Sequence, residues 1–330
     1  MQSKSIRLIN AGKIDWWKTQ VYYHSIAEQM KPDTPDTIIL CSPASPYLCL
    51  GYHQNLNDIF DREKCSKLNL PVIRRSIGGG ATYLDSNQFF YQFIFNQKNV
   101  PKSFNEIFSY LLALPVIVLN ELGINVQLNH TNEIEVDGKR IAGTGGGLIG
   151  DASVVVGNFL FDFDYNTVAD VWNVPDEDYR SLAKQALEEN IITINTIDKN
   201  ITKEVIENNF IKAIENYFKR EVFVDNLSEP EIAWADELLI KMTDEEYLLQ
   251  RDIKLKNDLY NLPLKISANA FVHYKNLKLF NKNAVTSLYV KNGIVQKCFA
   301  KNHQSERLFN LEKFLQNKAL SELENHGIFN

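Results

Sequence analysis

Arg74-Arg75-Ser76-Ile77-Gly78-Gly79-Gly80-Ala81-Thr82-Tyr83-Leu84-Asp85 places three consecutive glycines between a basic pair and the strand-like run Phe89-Phe90-Tyr91-Gln92-Phe93-Ile94-Phe95. Glycine weakens a strand interior, because it loses backbone entropy on folding and packs nothing. A triple glycine beside two arginines therefore points to bare backbone on which a ligand lies, with charge at hand for a carboxylate or phosphate. Further along, the theme returns in Val136-Asp137-Gly138-Lys139-Arg140-Ile141-Ala142-Gly143-Thr144-Gly145-Gly146-Gly147-Leu148-Ile149-Gly150, ahead of a strand-like run from Ser153 to Phe163. Eleven of the fifteen glycines lie from Gly78 to Gly157, which puts the expected site in that part of the chain. The alternative for the second stretch is turns between strands, since Asp137-Gly138 is a strong hairpin signal.

The chain has 330 residues, enough for one large domain and a small one, with 45% hydrophobic and 23% charged residues, as in ordinary globular proteins. A net charge of -6 and a pI of about 5.6 argue against a general nucleic-acid binder. No run of about twenty apolar residues predicts a membrane span, and Met1 to Arg7 lacks the apolar core of a signal peptide, so a cytoplasmic location is expected. Cys41, Cys49, Cys65 and Cys298 form no CxxC pair, and the six histidines form no HxH or HxxxH, so no metal site is expected.

Local patterns supply the elements. Residues 15–30 read as an amphipathic helix, 37–41 and 47–50 as short buried strands, 58–68 as a charged helix and 71–75 as a strand entering the glycine run. Residues 104–122 read as a long apolar helix stopped by Gly123. After a strand at 124–128 come a hairpin over 132–136 and 140–144, a strand at 154–163, and helices at 176–188 and 203–218. The polar, proline-broken stretch Val224-Asp225-Asn226-Leu227-Ser228-Glu229-Pro230 reads as a linker. It divides a domain over 1–225 from a small accessory domain over 232–330, with a helix at 232–241 and strands at 284–290 and 294–299. Hairpins outnumber βαβ units, so the expected fold is α/β of the α+β type: a mixed, largely antiparallel sheet backed by helices. Neither glycine run is a Walker loop or a dinucleotide fingerprint, since no GKS or GKT follows the first and a strand follows the second.

In order along the chain, four segments resemble the lipoate-protein ligase family, within the biotin/lipoate ligase and octanoyltransferase superfamily. They are Leu50-Gly51-Tyr52-His53-Gln54-Asn55; Arg74-Arg75 through Tyr83; Asn132-Glu133-Ile134 with Asp137-Gly138-Lys139-Arg140-Ile141-Ala142-Gly143; and Gly157-Asn158-Phe159-Leu160-Phe161-Asp162-Phe163-Asp164. The resemblance implies activation of a lipoyl or related acid as an acyl-adenylate and transfer to a lysine of a carrier protein of the lipoyl-domain or H-protein type. It implies ATP and Mg2+ for a full ligase, lipoate or lipoyl-AMP as substrate, and no nucleic-acid or membrane partner. It assigns catalysis to Lys139 and Arg140. It assigns substrate or adenylate binding to Arg74, Arg75, Gly78, Gly79, Gly80, Ala81, Tyr83, Asn132, Glu133, Gly143 and Gly157.

The chain departs from the family pattern at Ile77, Leu84, Val155 and Val156, where serine or histidine is usual. The family lysine directly precedes Ile-Ser/Ala-Gly; here Arg140 holds that place and Lys139 comes one residue earlier. One residue reverses the face of a strand. Two readings are open: a local bulge displaces Lys139, or Arg140 takes over the anion-binding role, without serving in proton transfer near neutral pH. The stretch from Gly150 to Gly157 has no cysteine for a transferase mechanism, and Ser153 is the nearest hydroxyl. The expected function is attachment of a lipoyl-type group to a carrier lysine through an acyl-adenylate. The rivals are transfer from a preactivated donor, biotin ligation, and non-catalytic binding of lipoylated carriers.

Overall fold

A computed structural model describes residues 5–130, 132–251, 263–279 and 282–329. Residues 1–4 of the N-terminal reading and 252–262, 280–281 and 330 of the accessory stretch lie outside the described residues.

Contacts divide the chain into two units, one of residues 1–56, 69–163 and 192–251, the other of 57–68, 164–191 and 252–330. Among the described residues the first holds eleven strands: β1 (Ser5–Ile14), β2 (Asp36–Pro43), β3 (Tyr47–Leu50), β4 (Val72–Arg74), β5 (Thr82–Leu84), β6 (Gln88–Asn96), β7 (Gln127–Asn129), β8 (Glu133–Val136), β9 (Lys139–Ile149), β10 (Ala152–Leu160) and β11 (Glu221–Val224). Eight of them form one sheet in the order β11-β1-β2-β6-β10-β9-β8-β7. The β11, β1 and β2 pairs are parallel and the rest antiparallel, so the sheet is mixed and largely antiparallel as expected. A second sheet, β4-β3-β5, carries the glycine run between β4 and β5.

Helices cover both faces of the large sheet. Phe104–Glu121 and Lys203–Phe218 pack on one face through Phe108, Leu112, Phe210 and Phe218, against Leu8, Leu40, Tyr91 and Phe93. Lys18–Glu28 and Glu229–Thr243 cover the other through Val21, Ile26, Ala235 and Leu238, against Ile39, Phe90 and Ile94. This double cover explains why every residue of β2 and β6 is buried and why both read as continuous rather than alternating apolar runs. Phe104–Glu121 is long and apolar enough by composition to cross a membrane, which qualifies the reading from sequence; here Leu111, Leu112, Leu114, Val118 and Leu119 are fully buried in the core.

The stretch read as a linker stays inside the first unit. Val224 pairs with Leu8, and the Asp225 N–H donates to the Leu8 carbonyl. Pro230 stands in the first turn of its helix, where a missing N–H is tolerated. The Glu231 carboxylate accepts from the Ser228 N–H at 2.8 Å and from Arg7 at 2.6 and 3.1 Å, tying the helix to β1. Burial pushes this carboxyl up, but the bonds from Arg7 and Ser228 outweigh it and hold it below the usual carboxylate range. Proline here marks a helix start, so the contact units do not follow the division at 225–232.

The second unit has its own antiparallel sheet of β12 (Leu264–Ser267), β13 (Ala270–Leu279), β14 (Lys282–Lys291) and β15 (Ile294–Asn302). The helix Glu177–Asn190 packs on it, its Tyr179 hydroxyl donating to the Val272 carbonyl and its Asn190 amide to the Tyr289 hydroxyl.

Candidate functional site

Both glycine stretches meet at one place. Gly143 to Gly147 lie inside β9, paired with Val154 to Asn158 of β10, so they are strand and not turn; the turn is Asp137-Gly138, both at positive φ. A Cβ added at Gly145 would stand 3.3 Å from the Gly78 carbonyl oxygen, and one at Gly147 would stand 3.2 Å from Ile77. One at Gly146 would come within 2.8 Å of the Phe108 ring. Gly79 has φ +108, a region closed to other residues, and a Cβ there would lie 2.7 Å from the Arg75 guanidinium. The glycine run is thus wedged between β9 and its own arginine.

Beside this contact is a cavity of about 380 Å³. Tyr52 and His53, Ser76 to Gly79, Phe104 and Phe108, Asn132, and Gly145 to Leu148 line it. Most of its wall is aromatic, aliphatic or bare backbone, with His53, Ser76 and Asn132 as its polar side chains, and among the described residues it contains no arginine, lysine or carboxylate. Gly51 was not among the expected site residues, yet a Cβ there would strike the Gly79 carbonyl; its signal was the Leu50-to-Asn55 segment. Phe104, Phe108 and Leu148 carried no local signal, because a pocket wall and a core residue look alike in sequence.

The arginines of the first motif serve the protein's own backbone. Arg74 is fully buried, and its guanidinium donates to the carbonyls of Gly51, Tyr52, Gln54, Tyr247 and Leu248. Arg75 donates to the Gly78 carbonyl at 3.1 and 3.2 Å, to that of Gly80 at 2.7 Å, and to the Cys49 sulfur. Both were expected to bind substrate; their donors instead hold the loop in shape. Gly157 is similar, since a Cβ there would strike the buried Tyr91 ring, so its bareness serves core packing. Gly143 packs against the Asn158 side chain, with a Cβ 2.6 Å from its oxygen. Gly80 faces open space, and Ala81 and Tyr83 are half-buried beyond it.

His24 supports the loop from below. Its Nδ1–H donates to the Gln20 carbonyl at 2.8 Å, and its Nε2 accepts the Ser76 N–H at 2.9 Å, which fixes the neutral tautomer. Burial pulls its pKa down to about 4, opposed by the Gln20 carbonyl and assisted by the charges of Arg75 and Lys241. No motif in the sequence pointed to this role.

The second motif is different. Between β8 and β9, Glu135 pairs with Arg140 and Ile134 with Ala142, so Ile141 is an extra residue and a bulge, one of the two open readings, is present. Tracing the register through it, Lys139 shares the face of Ala142 and Gly146, toward the Phe108 helix. Arg140 shares the face of Gly143, Gly145 and Gly147, toward the glycine run, together with Glu133 and Glu135. Arg140 Nε is buried with no hydrogen-bond partner among the described residues, and so is Glu133 Oε2. Burial lowers the Arg140 pKa, while Glu133 and Glu135 oppose that shift. Neither Lys139 nor Arg140 lines the cavity itself; Asn132 does, next to Glu133 in the chain. Ser153 is buried in β10 and away from the cavity lining.

The model of the Lipoyl protein ligase A/B catalytic domain matches residues 19–219. The chain belongs to that family. Octanoyltransferase LipM of Clostridioides difficile (strain 630) is 24% identical over 226 residues, 62% of this chain and 83% of that protein. Lipoate-protein ligase A of Blochmanniella floridana is 24% identical over 194 residues, 58% of this chain and 56% of that protein. Among solved structures, the bipartite lipoate protein ligase of Thermoplasma acidophilum aligns with a TM-score of 0.67 at 20% identity, covering 78% of this chain and all of that one. Lipoate-protein ligase A bound with ATP aligns at 0.64 and 19% identity, covering 76% of this chain. The expected fold and the expected enzyme class, ligase-like or transferase, agree with this lipoyl-ligase family.

Proposed function

We propose that this protein attaches a lipoyl or octanoyl-type group to a lysine of a lipoyl-type carrier domain, in the cytoplasm, through an acyl-adenylate. The observation that carries this reading is the cavity of about 380 Å³, apolar on its aromatic side and bare glycine on the other. A medium-length acyl chain fits the first wall, and the second lets an adenylate lie against backbone. Arg140, on the glycine-run face with a buried unpartnered Nε, is the candidate to stabilise charge on the mixed anhydride. Asn132 and Glu133 are the candidates to receive the carrier lysine, whose ammonium a carboxylate would accept. A neighbour's structure is described with its E2 lipoyl domain, which supports a carrier of that kind.

ATP is bound by one structural neighbour and lipoic acid by another. The cavity lining offers no carboxylate to a magnesium ion, so the side chains named here are assigned no part in holding one. The transferase reading with a covalent acyl-enzyme is less well supported: Cys41, Cys49, Cys65 and Cys298 are all buried, and none lines the cavity. Burial pushes the Cys49 thiol above its usual range, against the pull of Arg75.

The test is mass spectrometry of a lipoyl carrier domain incubated with the protein and either lipoate, ATP and Mg2+ or preformed lipoyl-AMP. Modification of the carrier lysine, faster from lipoyl-AMP, is the expected result. An acyl group trapped on the enzyme itself, with no carrier modified from the adenylate, would overturn the proposal.

A further inference from the structure

Among the described residues, the cavity that would hold an acyl-adenylate has no arginine or lysine in its wall. Arg74 and Arg75 have their donors on backbone carbonyls. Arg140 stands outside the cavity lining, on a face it shares with Glu133 and Glu135. Among the described residues, the motifs therefore put no arginine or lysine in the cavity wall itself.

One cation outside them reaches the wall. The Arg251 guanidinium stacks over the Tyr52 ring, 4.5 Å from its centroid, and Tyr52 lines the cavity. Arg251 Nε is buried with no hydrogen-bond partner, and no ion pair joins this side chain among the described residues. The segment before it is held in place: Arg74 donates to the Tyr247 and Leu248 carbonyls, and the Tyr247 hydroxyl lies 3.3 Å from that of Ser76, another lining residue. Two fixed points three and four residues away aim Arg251 at the Tyr52 wall. A guanidinium stacked on an aromatic ring keeps its in-plane donors free for an oxyanion.

We infer that Arg251 is a further substrate-binding residue, which donates to the phosphate or acyl carbonyl oxygens of the acyl-adenylate from the Tyr52 side of the cavity. This position lies beyond residues 19–219 matched by the catalytic-domain model. The inference rests on the adenylate reading of the site.

Calorimetry on the full chain separates the two. The probes are a non-hydrolysable lipoyl-adenylate analogue, which carries the anion, and lipoamide, which is neutral. In Arg251→Ala the anionic analogue should bind about tenfold or more weakly, with lipoamide changed less than twofold. Arg251→Lys should recover part of the loss, because the charge returns without the planar stack. Equal losses for both probes, or no loss for either, would overturn the role of Arg251. Wild-type protein that binds neither probe would instead overturn the adenylate reading itself, and this inference with it.

Discussion

Arg74 and Arg140 are both arginines with buried guanidinium atoms beside glycine runs, yet they stand in opposite states. Arg74 gives its donors to five backbone carbonyls; Arg140 keeps a buried Nε without a partner beside two carboxylates. Removing Arg74 would strand five carbonyls, whereas removing Arg140 would leave two carboxylates without their cation and no donor network to collapse. The first is a fixture of the fold, and the second is held ready for something the chain does not itself supply.

Substituting each arginine with methionine is the sharpest way to break this comparison. Arg74→Met leaves the Gly51, Tyr52, Gln54, Tyr247 and Leu248 carbonyls short of a donor, and should destabilise the first unit by about 3–5 kcal/mol in urea unfolding. A loss below about 1 kcal/mol would mean that water replaces the guanidinium and that the contrast is illusory.

His24 extends the comparison to pH. Its folded pKa of about 4 lies below the unfolded value near 6.5. Its contribution is therefore fully present above pH 6.5 and lost as the pH falls toward 4, by about 3 kcal/mol across that window. Protonated Nε2 can no longer accept the Ser76 N–H, so the glycine run should loosen in the same range. Urea melts at pH 7 and 4.5 should show a steeper loss in wild type than in His24→Gln; parallel slopes would remove His24 from the account.

The smallest stability effect belongs to Arg140→Met, about 1–3 kcal/mol, since only Glu133 and Glu135 are left without their neighbouring cation. Carrier modification from lipoyl-AMP should nonetheless fall about tenfold or more, read by mass spectrometry. A variant as unstable as Arg74→Met would show that Glu133 and Glu135 hold Arg140 for the fold alone.

The sequence exposed different parts of this picture to different degrees. The helix at 203–218 and the buried runs of β2 and β6 carried strong local patterns and were legible. β1 and β11 were not: Ser5 pairs with Glu221 far along the chain, and β11 has exposed residues at both ends, as an edge strand can. The glycines of the site were legible because bareness is a property of one residue. The roles of Arg74 and Arg75 were not, because whether a guanidinium faces carbonyls or a ligand depends on segments such as Tyr247-Leu248, distant in sequence. The bulge at Ile141 was one of two readings; the register contains it, yet leaves Arg140 and not Lys139 on the glycine-run face.

The helix Glu177–Asn190 has a buried face of Tyr179, Leu182, Ala183, Ala186 and Leu187, and its partners β12 to β15 come from Leu264 to Asn302. On the ribosome that face exists before its sheet can cover it. At about 5–20 residues per second the interval is on the order of ten seconds. During that time the helix is a sticky surface on a nascent chain, and deletion of the last eighty residues would make the exposure permanent. Order of synthesis thus sets a hazard that the finished protein conceals, and the burden of solubility falls on the C-terminal sheet.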